Sequence, residues 1–312
     1  MKRLSVLTTI ALSGAVFATT GCKPKVVDPM QLIPEGAVAV GGIDVSGVMA
    51  TEMFKENKEA MLANADVKET MDAMTTCKLD PMVGTSLLIG LADEDKFTFS
   101  VKSKGIGTEA NLKCMMDAIK SENADKAPEL KDVNGKKALV LDGGEGTCYL
   151  ASADLLACAS KGWATDVATL LDGKGTSAAN GSFKAALGGV DQSKGIWFSA
   201  QMTGELGEQT KGSPLEKAKS MSGSLDMTSG LAVALTADLG TPEDATGLAD
   251  MVNGELAKVL PMAPMIGVPK PVADSVKVAA EGAAVKASMA ATNEELKAIS
   301  TALQQMGASL GG

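Results

Sequence analysis

The chain contains no histidine among its 312 residues. Histidine is the common general acid or base near neutral pH, a member of Ser-His-Asp and Cys-His catalytic sets, and a frequent metal ligand. Those catalytic sets and all histidine-containing metal sites are therefore excluded. The sequence also has no G-x-S-x-G turn, no P-loop and no G-x-G-x-x-G motif after a predicted strand. We expect neither catalytic activity nor a cofactor.

Aromatic residues are scarce, with 2 Trp, 1 Tyr and 6 Phe. A pair of carboxylates for glycoside hydrolysis needs a sugar cleft, which normally offers aromatic side chains, so the scarcity argues against a glycosidase. The 18 Met are expected to supply much of the missing core volume. The spacings Met71-x-x-Met74-x-x-Cys77 and Met262-x-x-Met265 also fit copper(I). Core packing is the favoured interpretation, and no metal site is predicted.

Basic residues are in the minority, because 29 Lys and Arg stand against 38 Asp and Glu and give a net charge of −9. An acidic chain is repelled by a phosphate backbone, which excludes nucleic acid as a partner. Hydrophobic residues make up 45% and charged residues 21% of the chain. These fractions are typical of folded globular proteins rather than of disordered chains.

The first 22 residues have the pattern of a bacterial lipoprotein signal peptide. A basic pair, Lys2–Arg3, precedes an apolar run over residues 4–18, which is too short to cross a bilayer core of about 30 Å. Residues 19–22 (TTGC) then resemble the lipobox, although the first Thr stands where that motif usually has Leu. The resemblance implies a diacylglycerol thioether on Cys22. The alternative is cleavage after Ala18, which would leave Cys22 as a free thiol.

The resemblance to lipoproteins also implies a location in the cell envelope. Lys23 follows the lipobox cysteine, where an Asp would be the signal for retention in the inner membrane. We therefore expect a protein anchored in the outer membrane, facing the periplasm or the cell surface. Loss of residues 1–21 removes two positive charges and no acid, so the net charge falls from −9 to −11. Anchorage would come from the acyl chains, at about 0.8 kcal/mol for each buried methylene.

The remaining chain predicts two copies of one arrangement of strands and helices. We divide it into a signal peptide (1–21), a tether (22–33), a first lobe (34–191) and a second lobe (192–312). A Gly- and Ser-rich segment at 173–182 is interpreted as a linker or exposed loop. The repeat rests on element order and a few turns, and any α+β chain can alternate in this way by chance.

Both copies are predicted to begin with a strand, to continue with an antiparallel hairpin and to place an amphipathic helix after it. Short connections between consecutive strands favour antiparallel pairing. The predicted fold class is therefore α+β, with two related lobes, each a curved antiparallel sheet with helices packed on one face. The elements that carry this prediction are strands at 37–44, 83–92, 96–103, 195–202 and 231–238, and helices that begin near Thr108 and Thr241.

Two short motifs resemble the uncharacterised, two-lobed outer-membrane lipoproteins of myxobacterial type. They are the turn Pro34-Glu35-Gly36 and the segment Cys77-Lys78-Leu79-Asp80-Pro81, which has a C-x-x-D-P pattern. The resemblance spans most of the mature chain. It implies the two-lobed fold and the envelope location, and it brings no activity with it.

Four cysteines remain when the lipobox cysteine is lipidated, an even number in an oxidising compartment. Cys114 lies off the apolar stripe of its predicted helix, and Cys77, at the exit of the preceding helix, is its natural partner. Cys148 and Cys158 lie on opposite arms of a predicted hairpin and face each other across the strands. Of three connectivities, we favour Cys77–Cys114 with Cys148–Cys158.

An apolar stretch at 259–269 contains three prolines, so it cannot be a regular helix or a central strand. It is either a buried crossover between the lobes or a lid over a groove, in which case Met262, Met265 and Ile266 would contact an apolar ligand. Two functions follow. The favoured one is a lipid-anchored binding or interaction module that docks an envelope protein, and the alternative is a carrier of an apolar, lipid-like ligand in a groove between sheet and helices.

Overall fold

The computed structural model describes residues 27–92, 95–118, 128–141 and 144–310. The predicted signal peptide and Cys22 lie outside these residues. The lipid attachment at Cys22 therefore stays a prediction.

The described residues form twelve strands and ten helices. The strands are β1 (Ala39–Asp44), β2 (Ser86–Leu91), β3 (Phe97–Lys102), β4 (Glu129–Val133), β5 (Lys136–Leu141), β6 (Gly146–Ser152), β7 (Leu155–Ser160), β8 (Ile196–Gln201), β9 (Ser220–Asp226), β10 (Leu231–Asp238), β11 (Lys277–Glu281) and β12 (Ala284–Ala291). The helices are α1 (Val45–Ala50), α2 (Glu52–Leu62), α3 (Ala65–Thr76), α4 (Glu109–Ala118), α5 (Ala164–Leu171), α6 (Lys184–Gly188), α7 (Gly204–Gln209), α8 (Pro242–Val259), α9 (Lys270–Ser275) and α10 (Asn293–Leu310). Two 3-10 helices span Pro29–Leu32 and Leu260–Ile266.

All twelve strands belong to one antiparallel sheet, in the order β11-β12-β10-β9-β8-β1-β2-β3-β7-β6-β5-β4. The α+β class with antiparallel pairing is confirmed. Separate sheets for two lobes are not observed, because β1 and β8 pair from Ala39↔Ala200 to Ile43↔Ile196. The first strand of each half would otherwise be an edge with unpaired backbone groups, and pairing the two edges satisfies both.

Local sequence signals explain several element boundaries. The Asp44 carboxylate accepts a hydrogen bond from the Gly47 amide and caps α1. Thr241 caps α8 by accepting from the Asp244 amide. Strand β4, absent from the prediction, is joined to β5 by Asn134-Gly135, and both residues have positive φ, as a two-residue type I′ hairpin requires.

Two segments expected outside the core are part of it. The predicted linker at 173–182 contains Ala178, which is fully buried, and the Ser177 hydroxyl, which donates to the Gln31 side chain. The predicted tether includes Leu32 and Ile33, whose exposure is 1% and 2%. Both segments pack on the sheet. The small and polar residues of the predicted linker therefore did not indicate exposure.

The two faces of the sheet can be named from neighbouring residues of β8, since successive side chains point to opposite sides. On the Trp197 face, α5, the first 3-10 helix and Phe183 bury the strands of the first half in a continuous core. Over the second half this face is open, and it carries small residues such as Ala232, Ala234 and Ser288.

Helices α4 and α8 pack on the two ends of the Phe198 face. Leu112 of α4 packs on Leu139 and Leu156 and on the half-cystines of β6 and β7. At the other end, α8 packs against β11 and β12 through Ala245 and Leu248. Strands β3, β2, β1, β8, β9 and β10 lie between these two helical layers.

Candidate functional site

An apolar platform occupies the middle of the Phe198 face. The strand registers place three residues from each of six central strands on it, eighteen in all. Every one is apolar or glycine: Ala39, Gly41, Ile43, Leu87, Ile89, Leu91, Phe97, Phe99, Val101, Ile196, Phe198, Ala200, Met221, Gly223, Leu225, Val233, Leu235 and Ala237.

The platform is incompletely covered. Of its residues only Gly223 and Ala237 are buried, and Leu91 and Phe97 are exposed by 45% and 39%. An apolar sheet face is normally sealed by a second layer. On β1, β3 and β8 the opposite side is sealed in this way, since Val40, Ser100 and Trp197 are each at most 6% exposed, whereas on β9 and β10 it is open. The partial exposure of the platform leaves apolar surface available to a further molecule.

A cavity of about 650 Å³ opens at one corner of the platform, where β3, β7, β6 and β5 end. Phe97 and Phe99 belong to both the platform and the cavity, so the two are continuous. The apolar part of the lining also includes Leu141 and the Cys148–Cys158 disulfide. The volume lies within the range of pockets for small molecules.

The charged residues that line the cavity are all exposed, and they are balanced in sign. Asp95, Lys96, Glu145 and Lys161 contribute two acids and two amines. The Lys161 ammonium lies 3.5 Å from a Glu145 carboxylate oxygen, and both side chains are more than 70% exposed. Such a pair contributes little to stability. The rim therefore presents polar groups of both signs around an apolar interior.

Both predicted cysteine pairs are disulfides in the structure. Cys77 and Cys114 join the end of α3 to α4, with 5.6 Å between their Cα atoms. Cys148 and Cys158 are cross-strand partners in the β6–β7 hairpin. Because Cys77 is bonded to Cys114, its sulfur is not a thiolate ligand for copper. Among the described residues, no three His, Cys, Asp or Glu side chains are grouped as metal ligands.

The segment at 259–269 is neither a buried crossover nor part of the cavity. Residues 260–266 form a 3-10 helix in which Ala263 is buried, whereas Met262, Met265 and Ile266 are exposed by 56%, 82% and 52%. The expectation of a buried crossover is therefore wrong. The prolines end the regular α-helix after Val259, because they cannot donate a backbone hydrogen bond to it.

Helix α8 does turn one apolar flank towards the platform. The Asn253 side chain donates to the Val278 carbonyl of β11, the edge strand, which fixes that flank of α8 on the outer side. Met251 and Val259 lie more than 100° around the helix from Asn253, towards β10. They are exposed by 44% and 56%.

Groups with shifted pKa values serve the scaffold rather than the platform. Burial raises the pKa of Tyr149, whose hydroxyl donates to the Ala164 carbonyl at 3.0 Å and accepts from the Asn134 side chain. The Lys194 ammonium, 2.8 Å away, lowers the pKa of Asp226, and hydrogen bonds from Thr228 act in the same direction. These groups hold turns and a helix start in place.

No family model, curated protein or solved structure matches the chain. The resemblance to two-lobed lipoproteins therefore stays a prediction. In the part of the chain that the structure describes, no helix is both long and apolar enough to cross a bilayer. The sequence had singled out Met262, Met265 and Ile266, whereas the structure brings together a different set, the platform residues. Alternating apolar residues in β9 and β10 are the signal that could have found part of it.

Proposed function

We propose that this protein is a lipid-anchored, non-catalytic binding protein of the bacterial outer membrane, and that the apolar platform is its working surface. The observation that carries the proposal is the partial exposure of sixteen of the eighteen platform residues, all of which are apolar or glycine. A platform without a polar group on it supports binding by burial of apolar area, not chemistry on a reactive group.

The anchor is supported by the lipobox at residues 19–22 and by Lys23 after it. Taken together, the anchor and the platform favour the carrier among the two functions that the sequence suggested. A partner protein normally meets a mixed surface of apolar and polar groups. The platform is apolar throughout, and such a surface suits a lipid-like ligand better.

We further propose that the two halves are related copies that build the platform together. Strands β1, β2 and β3 of the first half are followed by α4, and β8, β9 and β10 of the second half are followed by α8. Each half contributes three strands to the platform, and the halves meet at the β1–β8 pair. Hairpin β4–β5 would then be an addition to the first copy.

The anchor is tested by Cys22→Ser. We expect the parent protein in the outer-membrane fraction, with a mass that includes a diacylglycerol group on Cys22, because the thioether forms on that sulfur. We expect the Cys22→Ser chain to lack the lipid and to leave the membrane fraction. A parent protein that begins after Ala18 and carries no lipid would contradict the anchor.

The platform is tested by Phe97→Glu, with Met82→Glu as the matched control, since both side chains are 39% exposed and Met82 lies off the platform in the loop before β2. We expect Phe97→Glu to weaken binding of the uncharged apolar dye Nile red roughly tenfold, because its carboxylate resists desolvation beside an apolar ligand. The measurement is a fluorescence titration. Equal binding by both variants would count against the platform.

A further inference from the structure

We propose that the cavity at the corner of the platform takes the end of an alkyl chain of a single-chain, zwitterionic lipid. This inference rests on the proposed function and names its ligand class. The first argument is shape, since a cavity of about 650 Å³ continues from the platform through Phe97 and Phe99. A chain that lies on the platform therefore has a place to end without returning to water.

The lining is the second argument. Phe97, Phe99, Leu141 and the Cys148–Cys158 disulfide offer apolar surface, whereas the four charged lining residues are exposed to solvent. Ser160 also lines the cavity, and its hydroxyl already accepts a hydrogen bond from the Phe97 amide. An alkyl chain needs apolar contact along its length and no hydrogen-bond partner at its end. A ligand with a polar group at the end that enters the cavity would bury this group without hydrogen-bond partners, which would weaken its binding.

Charge at the rim is the third argument, and it concerns the head group. Asp95 and Glu145 balance Lys96 and Lys161, and the whole chain has a net charge of −9. An anionic head group would be repelled by the body and would find no excess of cations at the rim. A zwitterionic head group can place each charge near an opposite one.

Gly146 offers a way to shorten the cavity without disturbing the sheet. It begins β6 and lines the cavity, and a Cβ built on it would meet the Leu141 side chain at 3.4 Å, an ordinary contact. A leucine at this position would therefore extend into the cavity. Gly247→Leu on α8 is the matched control, because a Cβ there has no neighbour within 4 Å and lies outside the cavity.

The experiment is a calorimetric titration of the delipidated Cys22→Ser chain with n-alkylphosphocholines of increasing chain length, below their micelle concentrations. Each added methylene that is buried should raise the affinity about fourfold until the cavity is full, after which the affinity levels off. In Gly146→Leu the affinity should level off at a chain that is shorter by up to about four carbons, because a leucine side chain has about that size. Gly247→Leu should leave the plateau where it is.

The outcomes separate this inference from the proposed function. An unchanged plateau in Gly146→Leu, together with weaker binding by Phe97→Glu, would overturn the cavity and keep the platform as the binding surface. Absence of saturable binding by the parent chain and by both glycine variants would overturn the alkyl-chain ligand. Tighter binding of n-alkyl sulfates than of alkylphosphocholines of equal length would overturn the zwitterionic head group.

Discussion

Replacement of Trp197 by alanine is expected to lower the free energy of unfolding by about 4 kcal/mol. The indole is 6% exposed and lies on β8, the strand that joins the second half of the sheet to β1. It packs over Gly42 of β1 so closely that a Cβ on that glycine would lie 2.5 Å from indole atoms. Removal of the ring leaves a void at the junction. Urea unfolding followed by far-ultraviolet circular dichroism measures the loss.

Because one sheet runs through both halves, we expect a single unfolding transition in Trp197→Ala as in the parent protein. Two separate transitions would show that the halves unfold independently. Phe97→Ala is the control. Because that ring is 39% exposed, its removal should lower the free energy of unfolding much less than the removal of the Trp197 indole.

The contact between Gly42 and Trp197 can be tested further by a double-mutant cycle. Gly42→Ala alone should destabilise the protein, because its methyl group would overlap the indole. In the Trp197→Ala background the same change should cost little, which gives a coupling free energy of about 1–3 kcal/mol. Additive losses would mean that the two residues do not restrict each other.

Removal of the Cys77–Cys114 disulfide is expected to cost about 4 kcal/mol in the chain-entropy description of cross-links. The bond closes a loop of 37 residues and ties α3 to α4. The test is the urea midpoint of the Cys77→Ala/Cys114→Ala double variant, compared with the parent under non-reducing conditions. Under strong reductant the parent should move to the midpoint of a chain that lacks both bonds.

The second disulfide provides the comparison. Cys148 and Cys158 are separated by 10 residues, so their removal should cost less, about 3 kcal/mol. It would also remove apolar surface from the cavity, so Cys148→Ala/Cys158→Ala should weaken alkyl-chain binding, whereas Cys77→Ala/Cys114→Ala should not. A larger loss of stability from the shorter loop would contradict the entropic order.

Most elements were readable from local sequence because their signals are local. Strand β10 was predicted with the bounds observed, and the Cys148–Cys158 pair followed from a hairpin with a short turn. Strand β4 was missed although Asn134-Gly135 is a strong hairpin signal, because its residues are mostly charged. The misplaced linker at 173–182 shows the opposite error, since Gly and Ser do not exclude burial.

The sequence by itself determined the absence of histidine chemistry, the acidic charge, the α+β class and the Cys148–Cys158 pair, because each depends on composition or on residues close along the chain. Only the tertiary structure decided that β1 and β8 pair, since edges about 150 residues apart carry no local signal of their partner. That pairing joins the apolar sides of six strands into one platform. Its partial exposure depends on where the helical layers end, which periodicity does not encode.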